Sequence, residues 1–372
     1  MTDTADAVIV GGGLHGSSTA LHLALRGVKA LVIEKDYVAR HASGVNAGGV
    51  RRLGRHLAEI PISVASMEIW HRIGDLVDDD CGFVAAGQVK VAESEAELDQ
   101  LRARVAEVRA LGFDHEELIG RDELKAVLPA ISDHCIGAII CRRDGAADPY
   151  RTTTAFRRKA EALGARYREG VRVTGLAREG RHWRVTTDTG ESVSTPIVVN
   201  CAGAWADRIA AMVGEHAPVE PIALMLMIAA RMPHFVDPTV GATRRPLSFK
   251  QFRNGTVLIG GGYQGIVDRD RNWTRLDFDK LRLSCQTVSD LFPIMRGATI
   301  VRAWAGIEGR MPDDIPVIGP SAKAEGVFHA FGFSAHGFQM GPGVGSVMAE
   351  IITAGKTNLP IAPFAIQRFA PS

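Results

Sequence analysis

Gly11, Gly13 and Gly16, followed by Glu34, have the residue types and spacing to hold a dinucleotide. Gly11 permits a tight turn, Gly13 lets the backbone approach a pyrophosphate, and Gly16 lets a helix pack closely on a strand. Glu34 stands roughly 20 residues beyond the glycines, where a carboxylate accepts hydrogen bonds from ribose hydroxyls and repels a 2′-phosphate. That combination selects FAD or NAD over NADP.

The glycines carry this meaning only between a strand and a helix. Ala7-Val8-Ile9-Val10 is a short apolar run that reads as a buried parallel strand. A helix follows with Ala20, Leu21, Ala24 and Leu25 on one face and Gly27 as an αL cap. A second strand, Ala30-Leu31-Val32-Ile33, ends in Glu34. The alternative, an ordinary βαβ unit with glycine turns and a solvated glutamate, does not require all five features in register.

The 43 basic and 42 acidic residues of the 372 nearly cancel, and no basic block is interleaved with aromatics, which argues against a nucleic-acid partner. The chain is long enough for two domains. Its longest apolar stretch, Ala223 to Ala230, falls far short of the roughly 20 residues of a membrane helix. The first strand begins within the opening residues, leaving no room for a signal sequence, so a cytoplasmic location is expected. Cys81, Cys135, Cys141, Cys201 and Cys285 have neither disulfide-framework nor zinc-site spacing, and no metal is expected. Cys201 reads as a small core residue.

Small residues from Ser43 through Ala47, Gly48 and Gly49 suit a loop lying against a flat ring and a phosphate, with Arg51 and Arg52 placed to hold an anion. Leu98, Leu101, Val105, Val108 and Leu111 mark a helix over 94–111 with Ser94 as N-cap. A short helix at 121–128 stops before Pro129, and another at about 150–163 ends at Gly164. Strand patterns follow at 171–178, 182–187 and 197–199, the last running into Ala202-Gly203-Ala204-Trp205 and a further helix. From about 216 to 305 the texture becomes alternating strands (223–230, 246–252, 256–261) plus a helix at about 277–292, which predicts a mainly antiparallel sheet; residues near 80–140 belong with it. Val327–Phe331 reads as a strand, Gly332–Gly343 as a Gly-rich loop and Val344–Ile352 as a helix.

The Gly11–Glu34 fingerprint, the Ser43–Arg52 loop, Val198–Trp205, Trp304-Ala305-Gly306 with Pro312-Asp313 and Pro316-Val317-Ile318-Gly319, and Gly332–Phe338 resemble the FAD-dependent D-amino-acid oxidase superfamily over essentially the whole chain. The similarity is greatest to the sarcosine and glycine oxidase branch, with the flavin subunits of proline, hydroxyproline and opine dehydrogenases. The resemblance implies an α/β fold: a Rossmann-like FAD domain (1–80, 141–215 and 306–372) under a β-sheet substrate domain (81–140 and 216–305). It implies oxidation of the C–N bond of a secondary amine or amino acid to an imine, by hydride transfer to the flavin. An FAD-dependent 2-hydroxyacid or alcohol dehydrogenase, or a flavin subunit of a hetero-oligomeric electron-transfer complex, are the rival readings. The electron acceptor is O₂, a quinone or a partner protein, and homo- and hetero-oligomers both stay open.

Carried over by position, Gly11, Gly13, Leu14, His15, Gly16 and Glu34 would hold the ADP half, with Lys35 flanking adenosine and Val173 on the strand that meets adenine. Ser43, Ala47, Gly48 and Gly49 would line pyrophosphate and ring, and Ala202, Gly203 and Trp205 the crevice. Gly337, Phe338, Gln339 and Met340 open the last helix, whose positive end would face the ring edge where charge grows on reduction.

Three departures matter. Gly306 stands about where sarcosine oxidases carry a flavin-bonded cysteine, so a non-covalent FAD is expected. Glu308 replaces the arginine that often clasps a substrate carboxylate. Either Arg51, Arg52, Lys250 or Arg310 takes over that clasp, or this pole meets a substrate cation, or Glu308 pairs with Arg310 or Arg302 structurally. Third, Gly260–Gly265 carries no lysine to activate O₂; Lys250 lies on a neighbouring strand pattern or is solvated, which favours a dehydrogenase. His336 has the residue type for proton transfer near neutrality or is a packed histidine, and Tyr263 and Gln339 face the pocket or pack.

Overall fold

The structure is a computed structural model that describes residues 3–370. Its first layer is a six-stranded sheet in the order Val317–Pro320, Val327–Phe331, Val198–Asn200, Ala7–Val10, Ala30–Glu34, Arg166–Glu169. All neighbours are parallel except the Val317–Pro320 edge. Val8, Ile9, Leu31, Val32, Val198 and Val199 are at most 1% exposed, because helices or a second sheet cover both faces. This is why these strands read as continuous apolar runs rather than alternating ones. A four-stranded sheet (Asp3–Thr4, Ser192–Thr195, His182–Thr187, Val173–Glu179) lies against one side.

The helix Leu14–Ala24 leaves the first strand through Gly11, at φ +107°, and ends before Gly27 at φ +80°. A Cβ on Gly16 would lie 2.0 Å from the Gly11 carbonyl oxygen, so helix and turn touch through backbone. Leu25, expected on the buried face, is 51% exposed at the helix C-cap, although its N–H still bonds the Leu21 carbonyl at 2.9 Å.

The last helix runs from Gly337 to Ala354, with Pro342 inside it. The expectation of a loop to Gly343 is therefore corrected. Glycine disfavours a helix by about 1 kcal/mol relative to alanine, but here the glycines serve packing rather than flexibility. A Cβ on Gly341 would meet Leu14 at 2.5 Å, one on Gly343 the Ser66 Cβ at 2.8 Å, and one on Gly345 the Ser18 Oγ at 2.1 Å. The helix is thus pressed against Leu14–Ala24 on one side and Ile60–Trp70 on the other. The Ser43–Arg52 loop also contains one helical turn, Ala42–Val45, and a two-residue strand, Gly49–Val50.

The second layer is an eight-stranded sheet: Ile300–Arg310, Glu220–Ala229, Val257–Gly260, Ser248–Gln251, Thr239–Ala242, Gln88–Ala92, Gly137–Cys141, Glu117–Gly120. It is antiparallel apart from the pairing of Thr239–Ala242 with Gln88–Ala92. Strands from 88–141 and from 220–310 build it together, and Phe278–Leu291 packs on its apolar face. The strand Ile300–Arg310 passes unbroken over position 305/306, where a boundary was expected. Among the described residues no helix is long and apolar enough to cross a membrane.

Candidate active site

A cavity of about 940 Å³ runs between the two layers. Its nucleotide-sheet wall brings together Gly11, Gly13, Leu14, His15, Glu34 and Lys35 with Val173, Ala202, Gly203 and Trp205. Ser43, Ala47, Gly49, Gly337 and Phe338 continue the lining toward Arg51, Glu308 and His336 at the second sheet.

The glycine turn is shaped by the absence of side chains. A Cβ on Gly11 would stand 2.4 Å from the Cys201 carbonyl oxygen, and one on Gly13 2.8 Å from Ser43 Oγ. Ser43 Oγ accepts the Leu14 N–H at 2.9 Å, and Gly13 offers no side-chain cap. With no acidic residue in the first turn, the positive end of Leu14–Ala24 faces the cavity. The helix from Gly337 is equally uncapped and acid-free at its start. Glu34 accepts the Gly12 N–H at 2.7 Å and the Asp36 N–H at 2.9 Å. Burial raises its carboxyl pKa, although those two N–H groups pull the other way. His15 stacks on Phe333 at 3.6 Å and is held neutral, burial pushing its imidazole down to about 3. Lys35 lies 3.9 Å over the Trp205 ring, with its ammonium already bound to Asp36 at 2.5 Å.

Six expected site residues lie outside the lining. Gly16 acts through packing, as above. Gly48, at φ +69°, leaves no room for a Cβ, which would meet the Ala147 carbonyl oxygen at 2.2 Å. Lys250 is buried rather than solvated, its Nζ 3.1 Å from that same Cβ position and 4.9 Å over the Phe252 ring; burial lowers its pKa to about 8 against the attraction of Asp148. Tyr263 is partly buried against the core of the second sheet, directly after Gly261 and Gly262, which line the cavity at positive φ. Gln339 is fully buried: its Oε1 accepts from Arg55 at 3.0 Å and Ser63 at 2.9 Å, and its Nε2 donates to the Ser63 carbonyl at 2.8 Å. Met340 is a core residue.

The clasp alternatives also narrow. Arg310 pairs with Asp314 at 2.7 Å, and Arg52 with Asp144 at 3.4 Å; neither lines the cavity. Arg51 does, and spends one N–H on the Leu53 carbonyl at 2.6 Å. Glu308 pairs with neither Arg302 nor Arg310; its Oε1 accepts the Ala335 N–H at 2.6 Å. Enclosure by protein pushes its carboxyl up to about 7, despite that N–H.

Sequence reading missed Arg55, Glu59, Gln88 and Lys90. Arg55 is buried, donates to the His336 carbonyl at 2.6 Å and lies 3.9 Å from Glu59, which in turn stands 3.5 Å from His336 Nδ1. The i,i+4 Arg–Glu spacing was the available signal. Gln88 and Lys90 alternate with Val89 and Val91, both 0% exposed, which was the signal for one polar face of a strand.

The profile of the FAD-dependent oxidoreductases (DAO) matches residues 6–351. The chain belongs to that family. Its sequence is similar to the hydrogen cyanide synthase subunit HcnC of Pseudomonas aeruginosa, 25% identical over 100% of this chain and 98% of that one. It is 26% identical to the mitochondrial sarcosine dehydrogenase of Mus musculus over 99% of this chain, spanning only 42% of that protein's length. Its fold is similar to the L-proline dehydrogenase of P. horikoshii, with a TM-score of 0.92, 29% identity, and 99% and 98% of the two chains covered.

The residues present fit an FAD. The cradle at Gly11 and Gly13 that a Cβ would fill, the acid-free helix start behind it and the buried Glu34 carboxylate, an acceptor for ribose hydroxyls, suit an ADP site. The chain is thus an FAD-dependent oxidoreductase with the α/β and antiparallel-sheet architecture of its family.

Proposed function

We propose that the protein oxidises the C–N bond of a secondary amine or amino acid, giving an imine that water hydrolyses. One observation carries this reading: a guanidinium with uncommitted donors, Arg51, shares the second-sheet end of the cavity with the carboxyl of Glu308 and the imidazole of His336. FAD, when bound, supplies the hydride acceptor. The chain's own residues hold and orient the substrate. Arg51 has the fork geometry for a carboxylate. Glu308, titrating near neutrality, suits an amine that must be held as a cation and react as a free base. His336, with its pKa lowered by burial, is neutral at physiological pH and accepts a proton from that amine.

In this reading 1–80, 141–215 and 306–372 form the FAD-binding domain and 81–140 and 216–305 the substrate-binding domain, with Arg51, Glu308 and His336 reaching the substrate from the first. Lys250, buried outside the cavity lining, supports slow reoxidation in air and hence a quinone or partner-protein acceptor. The subunit status of the hydrogen cyanide synthase relative supports assembly with other chains.

The test is anaerobic mixing of the yellow protein with sarcosine, proline, hydroxyproline, glycine, D-amino acids, opines and 2-hydroxy acids, following flavin absorbance. Bleaching by an amine is expected, and bleaching by hydroxy acids alone would reject the proposal. Rapid mixing of the bleached protein with air then tests the acceptor: fast return of the oxidised spectrum would assign O₂.

A further inference from the structure

The second-sheet end of the cavity carries more positive charge than one carboxylate needs. Lys90 projects from Gln88–Ala92 on the face opposite Val89 and Val91, across from Gly241 of the paired strand. Among the described residues its ammonium has neither a hydrogen-bond acceptor nor a carboxylate within ion-pair distance. Lys90 and Arg51 line the same cavity. Burial lowers the Lys90 pKa and the Arg51 guanidinium lowers it further, while Glu116, already held by Arg104 at 3.0 Å and the Gly54 N–H at 2.7 Å, raises it part of the way back. Arg244, exposed at the rim of the cavity, is likewise without an ion-pair partner. Arg55 and Arg245 differ: they line the cavity too, but Glu59 stands beside the first and Glu93 and Asp290 bind the second. Among the described residues the lining contains two carboxylates, Glu34 at the nucleotide end and Glu308.

A largely buried, unpaired lysine beside an arginine is costly unless an anion joins them. We propose that Arg51 and Lys90 form a two-cation subsite, and that the substrate is an amine bearing two carboxylates. Arg51 takes one carboxylate by its fork and Lys90 the other as a point charge. Glu308 is left to face the amine between them. This assignment deepens the amine reading and rests on it for the turnover arm alone.

The test is calorimetric titration of the FAD-loaded protein with glutarate and with butyrate, ligands that carry no amine. Glutarate is expected to bind about tenfold or more tightly than butyrate, the size of one charged hydrogen bond. Lys90→Met should remove that advantage while leaving butyrate affinity unchanged, and Lys90→Arg should keep it. Equal binding of the two acids by the unmutated protein would overturn the proposal without any variant. So would Lys90→Met weakening both ligands equally, which would mean that both cations hold one carboxylate. In turnover, the unmutated protein should favour dicarboxylic over monocarboxylic amines by a similar factor. A protein selective for glutarate yet bleached by no amine would sink the amine reading and leave the two-cation subsite standing.

Discussion

Glu59 Oε2 lies 3.5 Å from His336 Nδ1, and the carboxylate that makes this approach is fully buried with, among the described residues, no hydrogen-bond donor on either oxygen. At that distance the relationship is electrostatic rather than a formed hydrogen bond. Burial by itself would raise the Glu59 carboxyl, but His336, Arg55 and Arg51 outweigh it and hold the group below the usual carboxylate range. The imidazole feels the converse: burial and Arg51 lower its pKa, and Glu59 raises it part of the way back.

Replacing that carboxylate should therefore move a pH profile. In Glu59→Gln the imidazole loses its negative neighbour, and the acid limb of kcat/KM attributed to His336 should shift to lower pH. The sign follows because removing an anion disfavours the imidazolium. Stability should respond as well. A carboxyl depressed in the folded state contributes above its ordinary value of about 4.3 and loses that contribution as pH falls through the folded one. The unmutated protein should lose its advantage over Glu59→Gln in acid; parallel melting curves at pH 3 and pH 7 would contradict this.

Glu308 has the opposite sign. Its carboxyl, pushed up to about 7, opposes folding once pH exceeds the ordinary value of about 4.3, because the unfolded chain ionises it more readily. Glu308→Gln should raise Tm at pH 8 and change it little at pH 4. Binding of a non-reacting amine should weaken by about tenfold at pH 8, while its hydroxy analogue binds almost as before. That difference should shrink below pH 7, where Glu308 is protonated in both comparisons, and its absence at every pH would remove Glu308 from the amine.

FAD should be dissociable. Gly306 has no nucleophile, and a Cβ there would lie 2.3 Å from Val45 Cγ2, so a side chain at this point would have to displace Val45. Among the described residues only Cys201 brings a thiol to the cavity lining, and burial pushes that thiol up to about 12. Acid precipitation should leave a colourless pellet under a yellow supernatant. Colour retained by the washed pellet would establish a covalent bond instead.

Gly16→Ala should damage fold and cofactor site together. Its Cβ would lie 2.0 Å from the Gly11 carbonyl oxygen, a rigid backbone atom, so the helix must move. A loss on the order of 3 kcal/mol is expected, the upper range for overpacking. The measurement is Tm with and without added FAD, alongside the FAD-to-protein ratio; an unchanged ratio would show that the turn tolerates the shift.

The sequence by itself determined the elements whose meaning is local. Gly11, Gly13, Gly16 and Glu34 act through backbone conformation and short covalent spacing, and Ala7–Val10 and Ala30–Ile33 are apolar on every residue because they are covered on both faces. Ser94 was legible as a cap for the same reason, since a cap contacts N–H groups only a few residues away. What tertiary structure decided was direction. A strand's side chains alternate, and only its pairing and covering show which set meets the cavity. Lys90 therefore faces the cavity while Arg310 turns to Asp314 and Tyr263 packs on the flank of the core. The first turns of the last helix were hidden for a related reason. Their glycines look like a loop until Leu14–Ala24 and Ile60–Trp70 are in place, pressed too close for any larger side chain.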